Sequence, residues 1–266
     1  MPKESEIILK KFEIVKQNIF VIKQLIRRDK QSSVSSTFMG ELWDIINPFI
    51  YMVVMVLVFG NMFANKTDTL FPLYVLTGTT LYELFTAGTT MCLSSLVNNK
   101  NFLLKTQIEK SIYVVQKVVF SFERFMYSLI FYFIVIAIYR IKPSITWLWI
   151  FPDIFLLLIM MIGIGKILAV INVLFADITY FYNIFTLMIM YGSAIFYHTE
   201  QTPMFIQKGM LLNPIYIVIT IARNSVIYNR NSSINTWILL IIYTLICYVA
   251  GNLIYKKKVD DIVAYI

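Results

Sequence analysis

The 266-residue chain is 59% hydrophobic and 16% aromatic, only 14% charged, with a mean hydropathy of +0.73. Soluble globular domains lie well outside that range, so an ordinary soluble enzyme is excluded, and the length holds six spans of roughly 20 residues without room for a sizeable soluble domain. The formal net charge of +8 comes from basic residues flanking apolar runs, where they set orientation and meet anionic lipid, and nucleic acid is a poor second reading.

The first predicted element is an amphipathic helix over 8–26. Ile8, Phe12, Val15, Ile19, Ile22 and Ile26 recur at spacings of four and three, with Lys10, Lys11, Lys16, Lys23, Arg27 and Arg28 at other positions. Such a helix is too polar to insert and lies along the membrane surface; packing on a soluble partner is compatible with that. No apolar run with a small-residue cleavage site opens the chain, so no signal peptide is expected. Ser32, Ser33, Ser35, Ser36 and Thr37 then break the pattern and let the chain turn into the bilayer. Residues 1–37 are read as interface helix and turn, 38–258 as a membrane domain and 259–266 as a tail.

Six spans are predicted, at 45–65, 70–97, 112–139, 148–176, 178–197 and 233–255. Before the first, Trp43 is an aromatic anchor and Glu41 and Asp44 favour the helix start, where Pro48 is tolerated because first-turn amides have no intrahelical partner. Eight basic residues precede the first span, Lys100, Lys105 and Lys110 lie between the second and third, and Lys256, Lys257 and Lys258 follow the last, which places both termini in the cytoplasm. The cytoplasmic connection 98–111, "NNKNFLLKTQIEKS", reads as a short docking helix or as a plain solvated loop. On the outside, "GMLLNPIYIVITIA" within 198–232 is too short and too broken by proline to span, and reads as a re-entrant or interfacial segment.

Catalytic chemistry is not visible. His198 is the sole histidine, without a nucleophile or carboxylate at a useful spacing; Asp260-Asp261 reads as part of a tail helix. "GIGKILA" at 163–169 fails as a phosphate loop, because Met160 stands where the first glycine belongs and Ile167 where a hydroxyl would hold magnesium. Cys92 and Cys247 sit in apolar segments and read as small buried hydrophobes, so neither metal nor redox chemistry is expected. Glu83, Glu123, Arg124 and Lys166 interrupt the spans, and each must face the bundle interior, a partner or a water-filled path. Glu123 and Arg124 point about 100° apart on a helix, so they need partners on other helices.

Together these motifs resemble the permease subunit of ABC exporters for lipid-linked polysaccharides such as O-antigen, capsule or wall teichoic acid. The likeness rests on the surface helix, "MGELWDIINPFIYMVVMVLVFG" at 39–60, six spans, the basic helix after span two, "FADI" at 175–178, "SAIFY" at 193–197, "NPIYIVITIARNSV" at 213–226 and the closing "YKKKVDDIVAYI". The family's Gly-x-Leu/Trp…Pro pattern falls on Gly40, Leu42, Trp43 and Pro48, and its Asn-Pro…Arg on Asn213, Pro214 and Arg223. The usual Arg-Asp after span four is Ala176-Asp177 here, and the usual prolines are missing from 102–116. The resemblance implies a homodimer bound to two copies of a separate ATPase, which would hold the ATP and magnesium, in a bacterial cytoplasmic membrane. It also implies a conduit for a polyprenyl-diphosphate-linked glycan.

On that reading Lys105, Glu109, Lys110, Arg27, Arg28 and Asp29 are coupling candidates toward the ATPase. Tyr51, Tyr74, Tyr82 and Phe85 are aromatics for sugar faces or for ordinary packing, and Asn213, Pro214 and Arg223 are gate candidates. The rival classes are a secondary transporter using Glu83, Asp153 or Lys166 as coupling groups, and a membrane enzyme of lipid-glycan metabolism.

Overall fold

The computed structural model describes residues 2–34, 42–63, 69–105 and 108–265, which are all-α, with no strand among them. The helices are α1 (Pro2–Val34), α2 (Trp43–Phe63), α3 (Phe71–Leu93), α4 (Lys100–Lys105), α5 (Ile112–Ile138), α6 (Ile150–Leu174), α7 (Ile178–Tyr191), α8 (Met204–Met210), α9 (Pro214–Val226) and α10 (Ile234–Tyr265). Helix α1 runs past the predicted 8–26 and takes in Ser32 and Ser33, because its last turns dock on α5 and bury Leu25. The remaining serine-rich turn and Glu41 lie outside the described residues, as do the side chains of Asp44, Pro48 and Lys105. Helix α10 passes without a break through the expected boundary at 258/259.

Among the described residues, three stretches are long and apolar enough to cross a bilayer: Ile112–Ile138, Ile145–Leu174 and Ile234–Val259. They coincide with predicted spans three, four and six. Helices α2 and α3, of 21 and 23 residues, occupy predicted spans one and two and are long enough for a hydrocarbon layer about 30 Å thick. The predicted span 178–197 is not one helix: α7 stops at Tyr191 after 14 residues, about 21 Å, and a turn follows. Apolar composition cannot distinguish that turn from helix, and Ala194 within it takes the left-handed φ of 49°. Helices α8 and α9 meet at 97° across residues 211–213, a broken pair that is either one bent span or a re-entrant loop.

Helix α3 is the centre of the bundle, packed against α2, α5, α6, α7 and α9. It can be buried despite its many threonines because they satisfy themselves. The hydroxyls of Thr77, Thr79, Thr80, Thr86 and Thr89 donate to carbonyls three or four residues back. Helix α6 packs most extensively on α10, and the crossing depends on two glycines. A Cβ on Gly163 would strike the backbone at Cys247 and Tyr248, and one on Gly251 the backbone of Gly163. Gly165 likewise presses on Cys92 and Val114. The glycines of "GIGKILA" are therefore there for helix contact, as small-residue crossings in membranes require. Cys92 is fully buried and Cys247 half-buried, both as free thiols.

Candidate functional site

Where α1 reaches the α3–α5 end of the bundle, three consecutive residues form a clasp. Asp29 accepts from Arg28 on one oxygen, through Nε at 3.2 Å and Nη2 at 2.8 Å, and on the other from Gln116 Nε2 at 2.8 Å and Lys117 Nζ at 2.5 Å. Arg28 Nη1 also donates to Asn99 Oδ1 at 2.9 Å, and its guanidinium lies 5.6 Å from the Phe102 ring of α4. Lys30 donates to Glu123 at 3.1 Å and to the Tyr127 hydroxyl at 2.8 Å. Burial by itself would raise the Asp29 carboxyl, but the hydrogen bonds from Lys117, Arg28 and Gln116 outweigh it and hold the group below its ordinary value.

The clasp brings Arg28 and Asp29 together with the connection that holds the other coupling candidates, while Arg27 stays exposed. Lys105 and Glu109 do not share a helical face: α4 ends at Lys105, and Glu109 sits in the turn into α5, where its carbonyl accepts the Ile112 amide. The chain turns there because Ser111 must lead into α5, and its hydroxyl donates to the exposed Glu109 carboxylate at 2.6 Å. Lys110 is half-buried beside it.

A second node forms at the opposite end of α3. Arg223, on the last turn of α9, is 4% exposed. It donates to the Tyr74 carbonyl through Nε at 3.2 Å and Nη2 at 3.0 Å, to Ala194 O through Nη1 at 3.0 Å, and to Ile195 O through Nη2 at 3.2 Å. Its guanidinium also lies 3.3 Å from the centre of the Tyr74 ring. The Tyr74 hydroxyl in turn donates to Tyr197 O at 3.0 Å, and His198 packs on the same ring at 4.4 Å. One planar cation thus joins α3, α9 and the turn after α7, using a fork of donors that no other side chain offers. Gly78 leaves room for it, since a Cβ there would stand 2.8 Å from Nη2. Asn213 caps α9 by accepting the Ile215 amide at 3.0 Å, and donates to Ile189 O and Ser193 Oγ, while Pro214 takes the first helical position.

The polar interruptions of the spans separate. Glu123 turns to α1 and Lys30. Glu83 and Arg124 line one small cavity of about 70 Å³ with Thr80, Ser121 and Ser128. Lys166 donates to Asn252 of α10 at 2.6 Å and faces the rings of Tyr248 and Tyr255. Asp153 is fully buried in the first turn of α6, with no hydrogen-bond partner on either oxygen among the described residues. Of the aromatics, Phe85 is 2% exposed in the core, Tyr82 donates to Thr186 O of α7 at 2.9 Å, and Tyr51 reaches Met190 Sδ at 3.5 Å. These two half-buried tyrosines tether α7 to α2 and α3 while keeping part of each ring open. Trp43 stands 41% exposed at the start of α2.

Lys30, Asn99 and Gln116 were not singled out from sequence. A signal existed: Gln116, Glu123 and Tyr127 fall at i, i+7 and i+11 and so form one polar stripe down an apolar helix.

The sequence matches the model of the ABC-2 type transporter family over residues 21–227. Two curated relatives from Klebsiella pneumoniae, each named O-antigen export system permease protein RfbA, are 24% and 22% identical to it over 177 residues. Those alignments cover 66% of this chain and 68% of each relative. The family match takes in the clasp, the central α3, the Asn213-Pro214 cap and Arg223 alike. This multi-pass helical membrane protein belongs to the ABC-2 type transporter family.

Proposed function

We propose that the chain is the membrane-spanning permease of an ATP-driven exporter that moves a polyprenyl-diphosphate-linked polysaccharide of the O-antigen class across the bacterial cytoplasmic membrane. The observation that carries this reading is the family match together with two relatives named for O-antigen export. Neither a secondary transporter nor a membrane enzyme gains support from the structure. In this reading six segments cross the bilayer, both termini are cytoplasmic, residues 1–37 brace the membrane surface, 38–258 form the permease and 259–266 its tail. The α8–α9 pair is re-entrant from the outside.

Two copies pair, and each recruits a separate ABC ATPase that binds ATP and magnesium; this chain itself catalyses nothing. Helix α7 supports the pairing: Tyr180, Phe181, Ile184, Phe185 and Met188 are all more than half exposed along it, an apolar face that a second copy would cover. The conduit would lie near it, within reach of Tyr51, Tyr82 and the Glu83–Arg124 cavity. Work would arrive through α4, Glu109 and the clasp.

The test is Glu109→Arg, measured in nanodiscs with the chain's ABC ATPase and a polyprenyl-diphosphate glycan. Substrate-stimulated ATP turnover should fall several-fold while co-purification of the ATPase stays constant, because an exposed charge reversal costs little folding stability. Unchanged turnover would put coupling at α1 instead, and an absence of glycan stimulation in the unaltered protein would sink the export reading itself.

A further inference from the structure

Between α3, α5, α6 and α9 lies a slot of about 570 Å³, within the roughly 300–1,000 Å³ range of small-molecule sites. It runs beside α5 from Phe122 to Ile136, about 21 Å at the helical rise, which exceeds the roughly 15 Å depth of one leaflet's hydrocarbon. Its walls are nearly all apolar, and the hydroxyls that α3 and α5 turn to it are spent on protein: Thr77 and Tyr132 bond each other at 2.9 Å, Thr77 also donates to Leu73 O, and Thr80 donates to Leu76 O. A sugar would find little to bond there. The slot opens sideways between α5 and α6, two of the helices fit to cross a bilayer, and Met126, Phe133 and Phe155 are exposed along the opening.

The mouth is defined by the turn joining those helices. Pro143, Ser144 and Trp147 line it, and Trp147 and Trp149 hold the rim by donating to Asn229 and Asn231, each at 3.1 Å, as indoles at a membrane interface do. The two rim segments, 139–152 and 224–237, carry Arg140, Lys142 and Arg230, all exposed, and not one acidic residue. The next acid along the chain, Asp153, is buried. An apolar slot a leaflet deep, capped by cations at the interface, has the chemistry of an anionic lipid.

We propose that the slot holds one acyl chain of an anionic phospholipid from the leaflet on the α5–α6 turn side, its headgroup phosphate resting among Arg140, Lys142 and Arg230. The proposal rests only on α5 and α6 crossing the bilayer and stands apart from the export reading. The bound lipid fills the seam between α5 and α6 where the protein itself leaves space.

The test uses the chain in nanodiscs doped with a phosphatidylglycerol that carries a diazirine midway along one acyl chain, followed by peptide mapping of the photo-adducts. Adducts should concentrate on Met126, Phe133 and Phe155 several-fold above those on Ile241 or Leu245, which are exposed on α10. Met126→Trp should abolish the excess by filling the slot. Arg140→Ala and Lys142→Ala should each lower it about five-fold, the worth of one cation at an anionic surface. Adducts spread evenly over α5 and α10 would overturn the site while still showing a chain embedded in lipid. Equal labelling by a phosphatidylcholine probe would overturn the headgroup assignment. Preferential labelling by a diazirine polyprenyl phosphate would assign the slot to the export substrate instead.

Discussion

The clasp at Asp29 and the node at Arg223 both tie remote parts of the chain together through a charge, and they do so with opposite materials. The clasp is built from side chains, and its outer members are partly exposed, Arg28 by 39%, Lys30 by 33% and Glu123 by 38%, around an Asp29–Lys117 pair that is 13% and 12% exposed. Arg223 meets backbone carbonyls in full burial. Pairs of mobile charged side chains at a wet surface can be remade at modest cost, whereas a buried guanidinium on fixed carbonyls has one arrangement. The first suits a joint between a surface helix and a moving body; the second suits a fixed corner. Arg223, a gate candidate in the sequence, thus has the geometry of a corner that joins α3, α9 and the turn after α7.

The sharpest way to break the comparison is Arg223→Ala. It strips a donor from the carbonyls of Tyr74, Ala194 and Ile195 and should cost about 3 kcal/mol or more, since each buried acceptor left short of its donor costs roughly 1–3 kcal/mol. Arg223→Lys should recover less than half of this, because a point charge cannot span three carbonyls. Thermal unfolding in nanodiscs measures both, and a lysine variant as stable as the parent would show that charge alone suffices.

Asp29→Asn should have an intermediate effect, about 1–3 kcal/mol, through weakened bonds to Lys117 and Arg28. The pH dependence has a definite sign. Asp29 titrates lower in the folded protein than in the unfolded chain, so its contribution is complete above the unfolded value near 3.9 and fades as pH falls through the folded one. Hydrogen exchange in the last turns of α1, taken relative to the intrinsic rate of an unprotected amide at each pH, should therefore stay constant from pH 8 down to about 5 and rise only below about 4. A rise near pH 6 would mean that another group controls the clasp. Glu123→Gln should do least, about 0–1 kcal/mol, and that difference should vanish near 1 M salt, where exposed pairs are screened. A loss that survives high salt would move the Lys30–Glu123 pair into the class of the buried node.

Much of this was legible in the residues. The period of Ile8 to Ile26 announced α1, and long apolar runs, broken by a few charges in α5 and α6, announced α5, α6 and α10. What the residues could not show was where each polar group turns. Glu123 and Arg124, neighbours in sequence, part company to α1 and to the α3 cavity. Lys105 and Glu109 looked like one helical face, but a helix end between them removes it. The run 178–197 contains no charge, so nothing local signals that α7 ends at Tyr191 and that the next carbonyls belong to an arginine far along the chain.

The sequence by itself therefore determined the solvent and the elements. Twenty-odd apolar residues in a row must leave water, and helices must form there because backbone groups in hydrocarbon have to bond within their own segment. Only the tertiary structure decided the partners. Arg223 is held by three main-chain oxygens from residues up to 149 positions away, and such acceptors carry no side-chain signature. Gly163 and Gly251 find each other across 88 positions because close helix approach is a property of two surfaces. A hydropathy pattern reports each residue's preference for lipid or water; which groups end up in contact depends on how the helices pack.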